Sequence, residues 1–148
     1  MHTLPAPPFK GMGKLIHIAA WAILFGLPFF FTGRESQTVT VLSYVRSMIV
    51  PLSFMLVFYA NYFVLIDHFL FAKRPWKFLL CNVVLIAASM GAVHLMFELL
   101  PHPEWEHPRP EREWQETVGF FMVNAMLYML VAGLSVAIKM TGSWYEME

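Results

Sequence analysis

The residues whose types and spacing could do chemistry are histidines and acids. His94 and Glu98 stand four apart, and His102 follows at the same interval. On one helical face these would present two imidazoles and a carboxylate, a set suited to a metal ion or to sensing a proton. Pro101 and Pro103 interrupt the spacing at His102. An interfacial acid at Glu98 and a helix-packing His94 account for the same pattern. Just beyond lies the stretch from His102 to Trp114, where His102, Glu104, Glu106 and His107 are interleaved with prolines. Such a stiff, acidic loop could attract a divalent cation or a cationic peptide, and a solvated loop has the same composition. His17 and His68 fall at similar depth in two apolar runs, where a pair of imidazoles could hold a b-type haem between helices. Lone interfacial histidines read the same way, and no cofactor is expected. The sequence has no Gly-rich phosphate loop, H-E-x-x-H, C-x-x-C or G-x-S-x-G motif, so no catalytic residues are assigned.

The elements that must position these groups are set by composition. Of 148 residues, 58% are hydrophobic and 14% charged, against roughly 25% charged in soluble domains, and the mean hydropathy is +0.57. A soluble enzyme is excluded on that ground. The apolar residues fall into four blocks, about 15–31, 47–66, 78–100 and 118–138, each near the roughly 20 residues that cross a bilayer. A spanning backbone has no water to satisfy its polar groups, so each block must be helical. The expected fold is all-α, an integral membrane four-helix transmembrane bundle forming one domain over 1–148, with an outer loop over 101–117.

Ten basic and ten acidic residues cancel, and nothing in that balance suggests nucleic acid. With the N-terminus cytoplasmic, Lys10, Lys14, Lys73, Arg74, Lys77 and Lys139 lie inside, and Arg34, Arg46, Arg109 and Arg112 outside. The bias is strongest in the short loop Lys73-Arg74-Pro75-Trp76-Lys77 and places both termini in the cytoplasm. Trp76, Trp105, Trp114 and Trp144 fall at the proposed interfaces, as aromatic belts do. No small-x-small cleavage site follows the first block, which reads as an anchor rather than a signal peptide. Cys81 is the single cysteine and can form no intrachain disulfide.

Helical spacing of Val41, Leu42, Val45, Met48 and Ile49 projects the second helix beyond the bilayer, and Pro28 and Pro51 are candidate bends. Ala87, Ala88, Gly91 and Ala92 in the third block, with Gly133 and Ala137 in the fourth, allow close helix approach, within one bundle or between two copies. Asn61, Asn82 and Asn124 would seek hydrogen bonds across helices and lock their register. Neither an internal repeat nor paired interrupted helices points to a transporter.

The stretch Phe58 to Ile86, FYANYFVLIDHFLFAKRPWKFLLCNVVLI, resembles the second-to-third helix hairpin of the membrane sensor domains of LytS-like bacterial sensor histidine kinases. In that family an N-Y-F-x-L-I run ends in a basic, aromatic turn. The end of the fourth block, Gly133 to Lys139, also resembles the family's exit helix. The resemblance implies a module of the bacterial inner membrane, a homodimer, that passes a stimulus through the fourth helix to a cytoplasmic kinase of the same polypeptide and so to a response regulator. His94, Glu98, His102, Glu104, Glu106 and His107 are then candidate sensing residues, and Gly133, Lys139 and Gly142 candidate output residues. The family's phosphoacceptor motif and ATP-binding domain have no counterpart in these residues, so this chain is not expected to bind ATP. Other classes left open are a haem-holding redox anchor and a small structural membrane subunit.

Overall fold

The computed structural model describes residues 12–32, 40–101 and 113–147, with side chains of the first helix described over 14–26. All regular structure among them is helical. The chain divides into two compact units, residues 1–48 and 49–148.

The first unit holds α1 (Met12–Thr32) and the opening turns of α2 (Val41–Ala60). Along α1 the apolar face includes a tilted contact between Trp21 and Phe25, ring centroids 6.4 Å apart. Thr40 precedes α2, and its carbonyl accepts from the Tyr44 amide at 3.0 Å and from Ser43 Oγ at 2.8 Å. Those two bonds fix the helix start at Val41, six residues before the predicted block at 47, in line with the projecting turns expected from Val41 to Ile49.

The second unit contains the rest of α2, which runs without interruption through Pro51. At Asn61 it passes directly into a ten-residue π-helical segment, Asn61–Leu70. Four rings straddle this junction. Phe58 stacks on Tyr62 at 5.9 Å and Tyr59 on Phe63 at 5.6 Å, while Tyr62 and Phe63 meet edge to face at 5.1 Å. A π turn closes i→i+5 bonds, is rare, and is found frequently at functional sites.

The hairpin that follows is a Schellman stop. Lys73 takes the left-handed conformation at φ 57°. The Arg74 amide bonds the Phe69 carbonyl at 2.8 Å, and the Lys73 amide bonds Leu70 at 3.1 Å. These are the 6→1 and 5→2 bonds that use up a helix's last carbonyls. Pro75, whose missing N–H costs nothing at a helix start, then opens α3 (Pro75–Leu99). Leu100 turns the chain to extended backbone, with its amide on Met96 O at 3.1 Å, just before Pro101. The last helix, α4, is continuous from Trp114 to Met147, 34 residues. At 1.5 Å per residue it is about 51 Å long, well beyond the ~30 Å hydrocarbon layer. It extends past the predicted end at 138 and takes in Gly142, which does not interrupt it.

Three helical runs, Val41–Leu70, Pro75–Leu99 and Trp114–Met147, are long and apolar enough to cross a membrane. At most 28% of any of their apolar windows is buried within the protein. Leu80, Val84, Leu95, Met122, Met126 and Leu130 are all exposed, an apolar surface of the kind that meets a membrane or a protein partner. In the second unit α4 packs on α3 and on the π segment, and α3 packs on the π segment. Their small core is Val57, Ile86, Tyr128 and Ala132, flanked by Phe54, Leu85 and Met90.

The small residues lie outside the three-helix core, which leaves them to contacts between copies, and the expectation for the asparagines is corrected. Ala87, Ala88, Gly91, Ala92, Gly133 and Ala137 all lie exposed, and a Cβ built at Gly91 or Gly133 would meet nothing within 4 Å. Ile86, Tyr128 and Ala132 occupy the three-helix core with Met90 packed against it, and the small residues stand on other faces of the same helices. The asparagine amides bond along their own helices rather than across them: Asn61 to Val57 O, Asn82 to Phe78 O and Asn124 to Phe120 O, at 3.0, 3.1 and 2.8 Å. The i−4 carbonyl lies within reach of a short side chain, as local side-chain bonding commonly finds.

Candidate functional site

Two features of the second unit combine polar chemistry with apolar surroundings. One is a cavity of about 110 Å³ between α2, α3 and α4, walled by Val50, Met90, Val93, Phe97, Phe120 and Phe121. His94, Asn124 and Tyr128 supply its polar groups. Tyr128 is 2% exposed, and its hydroxyl lies 2.6 Å from Ser53 Oγ. Ser53 already gives its one hydrogen to the Val50 carbonyl at 2.6 Å. The Tyr128 hydroxyl is therefore the donor to Ser53, and its own lone pairs remain as acceptors. Phe54 meets the Tyr128 ring edge-on at 4.7 Å. A rigid, oriented phenol thus joins the cavity wall to the core.

The second feature is an ion pair. Lys139 Nζ donates to Asp67 Oδ2 at 2.7 Å and also to the backbone carbonyl of Tyr62, and it lies 5.0 Å from the centroid of the Tyr62 ring. Both partners belong to the π segment, and both helices are predominantly apolar. The lysine side chain is 17% exposed and the aspartate 46%. The lysine is thus held by a carboxylate, a carbonyl and a ring face, while the carboxylate keeps one side toward the boundary. Ionisable groups on membrane-crossing helices are costly, and they are retained where they act.

The two features are linked by parallel helices. Ser53 pairs with Tyr128 and Asp67 with Lys139, so α2 with its π segment runs in the same direction as α4. Between these tie points the first helix uses fourteen residues and α4 eleven. The i→i+5 turns, which put more residues into each turn, take up the difference.

The predicted sensing residues divide. His94 lines the cavity, while Glu98, one turn further, is exposed and forms no ion pair with it. His102, Glu104, Glu106 and His107 lie outside the described residues. Among the described residues no group of three or more His, Cys, Asp or Glu side chains is placed to hold a metal. His17 belongs to the first unit and His68 to the second, where His68 Nδ1 lies 3.0 Å from Val64 O. Of the predicted output residues, Lys139 is the ion-pair centre, and Gly133 and Gly142 are exposed on α4.

Sequence reasoning missed Ser53, Tyr62, Asp67 and Tyr128. Asp67 is the only aspartate in the chain and ends an apolar run, while Lys139 ends another on the same predicted side. Opposite charges at matched depth were a usable sign of pairing. Comparison with family models, curated proteins and solved structures finds no match to this chain.

Proposed function

We propose that the chain is a transmembrane sensing and signal-transmission module of the bacterial inner membrane, with four spans and both termini in the cytoplasm. Its input site is the cavity at His94, Asn124 and Tyr128, and its output is α4. The cytoplasmic effector is a dimeric sensor histidine kinase, a reading that rests on the resemblance of Phe58 to Ile86. The observation that supports transmission is the make-up of α4, one helix that supplies Phe120, Phe121, Asn124 and Tyr128 to the cavity and Lys139 to the ion pair. A guest in the cavity acts on a helix that has no break before the pair. A ligand shifts an equilibrium only through different affinities for two states, and here those states differ in how α4 sits against the π segment.

The test substitutes for the unknown guest. Val93→Phe fills the cavity from its wall in the full chain, held in lipid nanodiscs with spin labels on the exposed Phe71 and Tyr145 positions. The expected result is a displaced label-to-label distance distribution, and a changed output when the chain is joined to a reporter kinase. Lys139→Met should uncouple the two responses from cavity filling. Unchanged distances together with unchanged output would remove the reading.

A further inference from the structure

The interior of the second unit contains oxygen acceptors that the protein's own donors do not use. Asn61 is fully buried and Asn82 is 6% exposed. Each gives an amide hydrogen to the i−4 carbonyl of its own helix, which turns the amide oxygen away from that carbonyl. Asn61 Oδ1 and Asn82 Oδ1 are both buried without a hydrogen-bond partner among the described residues. Buried polar atoms are seldom left in this condition, because an acceptor stripped of water and given nothing in return destabilises the fold.

By helix register the two asparagines fall at one level. Val57, Ile86 and Ala132 meet in one buried cluster. Asn61 follows Val57 by one turn, Asn82 precedes Ile86 by one turn on the antiparallel α3, and Ser135 follows Ala132 by one turn. All three are displaced from the cluster in the same direction. Ser135 is fully buried and spends its hydrogen on Ala132 O at 2.6 Å. The layer therefore presents acceptors with no donor facing them. Ser89, also buried and unpartnered, stands two turns from Asn82 on the other side of the cluster and belongs to a different level.

We propose that this layer binds an internal water molecule that donates one hydrogen to Asn61 Oδ1 and the other to Asn82 Oδ1, with Ser135 beside it. Buried waters settle where two to four polar partners converge, and a guest here must supply hydrogens rather than accept them. Calcium takes six to eight oxygens, more than the three side chains of this layer provide. The water sits where the α-helix becomes the π segment, and it bridges that junction to α3. The site stands independently of the sensing reading.

The test uses the full chain in nanodiscs with labelled asparagine. Magnetisation transfer from water should reach the side-chain amides of both Asn61 and Asn82, and it should be lost in the N61L/N82L double variant. No transfer in the wild-type protein would overturn the proposal, whatever the variants do. A second arm measures unfolding. Asn61→Leu or Asn82→Leu alone should each raise the unfolded fraction on the order of tenfold by stranding the water and the remaining oxygen. The double variant should recover most of that loss. Single variants that are each more stable than wild type, with effects that multiply, would overturn it. So would asparagine resonances that move when sodium chloride is exchanged for choline chloride at equal ionic strength, since the guest would then be a cation.

Discussion

Breaking the Lys139 pair should be felt more when the aspartate is removed, because the charge then left behind is the more buried one. At 2.7 Å the Coulomb attraction is about 1.5 kcal/mol in a water-like medium and about 6 kcal/mol at an effective dielectric near 20. Desolvation offsets much of the larger figure. Asp67, 46% exposed, lies toward the regime of surface pairs, worth roughly 0.2–1 kcal/mol. Lys139, 17% exposed, is the charge left uncompensated when Asp67 is removed, and lies toward the regime where such a loss costs about 3–5 kcal/mol. Asp67→Asn strands that ammonium with only the Tyr62 carbonyl and ring, and should cost about 2–3 kcal/mol. Lys139→Met leaves a half-exposed carboxylate that water can solvate, frees the Tyr62 carbonyl and forfeits a ring contact worth roughly 0.5–1 kcal/mol, so its cost should be about 1–2 kcal/mol. The assay is a double-mutant cycle on the full chain, unfolded by a denaturing detergent titrated into mild micelles and followed by tryptophan fluorescence. A coupling of about 1–1.5 kcal/mol, close to tenfold in the unfolding constant, is expected. Singles that add to within about 0.3 kcal/mol, with Lys139→Met neutral, would refute the assignment of the pair as a joint between α4 and the π segment.

Three further outcomes follow from the geometry. Lys73→Gly should raise stability by about 0.5–1 kcal/mol, because glycine adopts the left-handed stop without the Cβ clash but loses more entropy on folding; a lower unfolding midpoint would contradict the Schellman geometry. Deleting Val64 removes the extra residue that a π turn holds, so the segment should return to i→i+4 bonding with Asp67 kept on nearly the same face and the energetic coupling between positions 67 and 139 should be retained; lost coupling would refute the role of the π register. In a Cys81→Ser background, single cysteines at Thr3 and Ser143 should react with the same sidedness toward an impermeant thiol reagent in sealed vesicles, and opposite sidedness would overturn the four-span proposal.

The helices were legible because a bilayer imposes a length and a continuous apolar run, and both are visible residue by residue. What was hidden depends on contacts between runs. The switch to π bonding at Asn61 leaves no mark on composition, since the aromatic stacks that flank it have ordinary i, i+4 spacing. Asp67 meets Lys139 from within the π segment, a pairing between runs that neither run shows by itself. The small residues of α3 and α4 were expected inside because small side chains permit close packing, but permission does not decide the face. His94 was legible as a polar group on an apolar helix, and its neighbours in the cavity, Phe120 and Asn124, come from a helix more than twenty residues away.

The unequal residue counts between the two tie points give the composite helix a reserve of contour. If its π turns reverted to α geometry with both ends still fastened, three surplus residues would lengthen it by about 4.5 Å relative to α4. Fastened ends forbid that, so the surplus can be released only by unfastening one of them. The pair nearer the boundary, with its half-exposed carboxylate, is the weaker fastening. Strain introduced anywhere along this helix should therefore emerge at the lysine, much as a taut cable gives way at its poorest clamp.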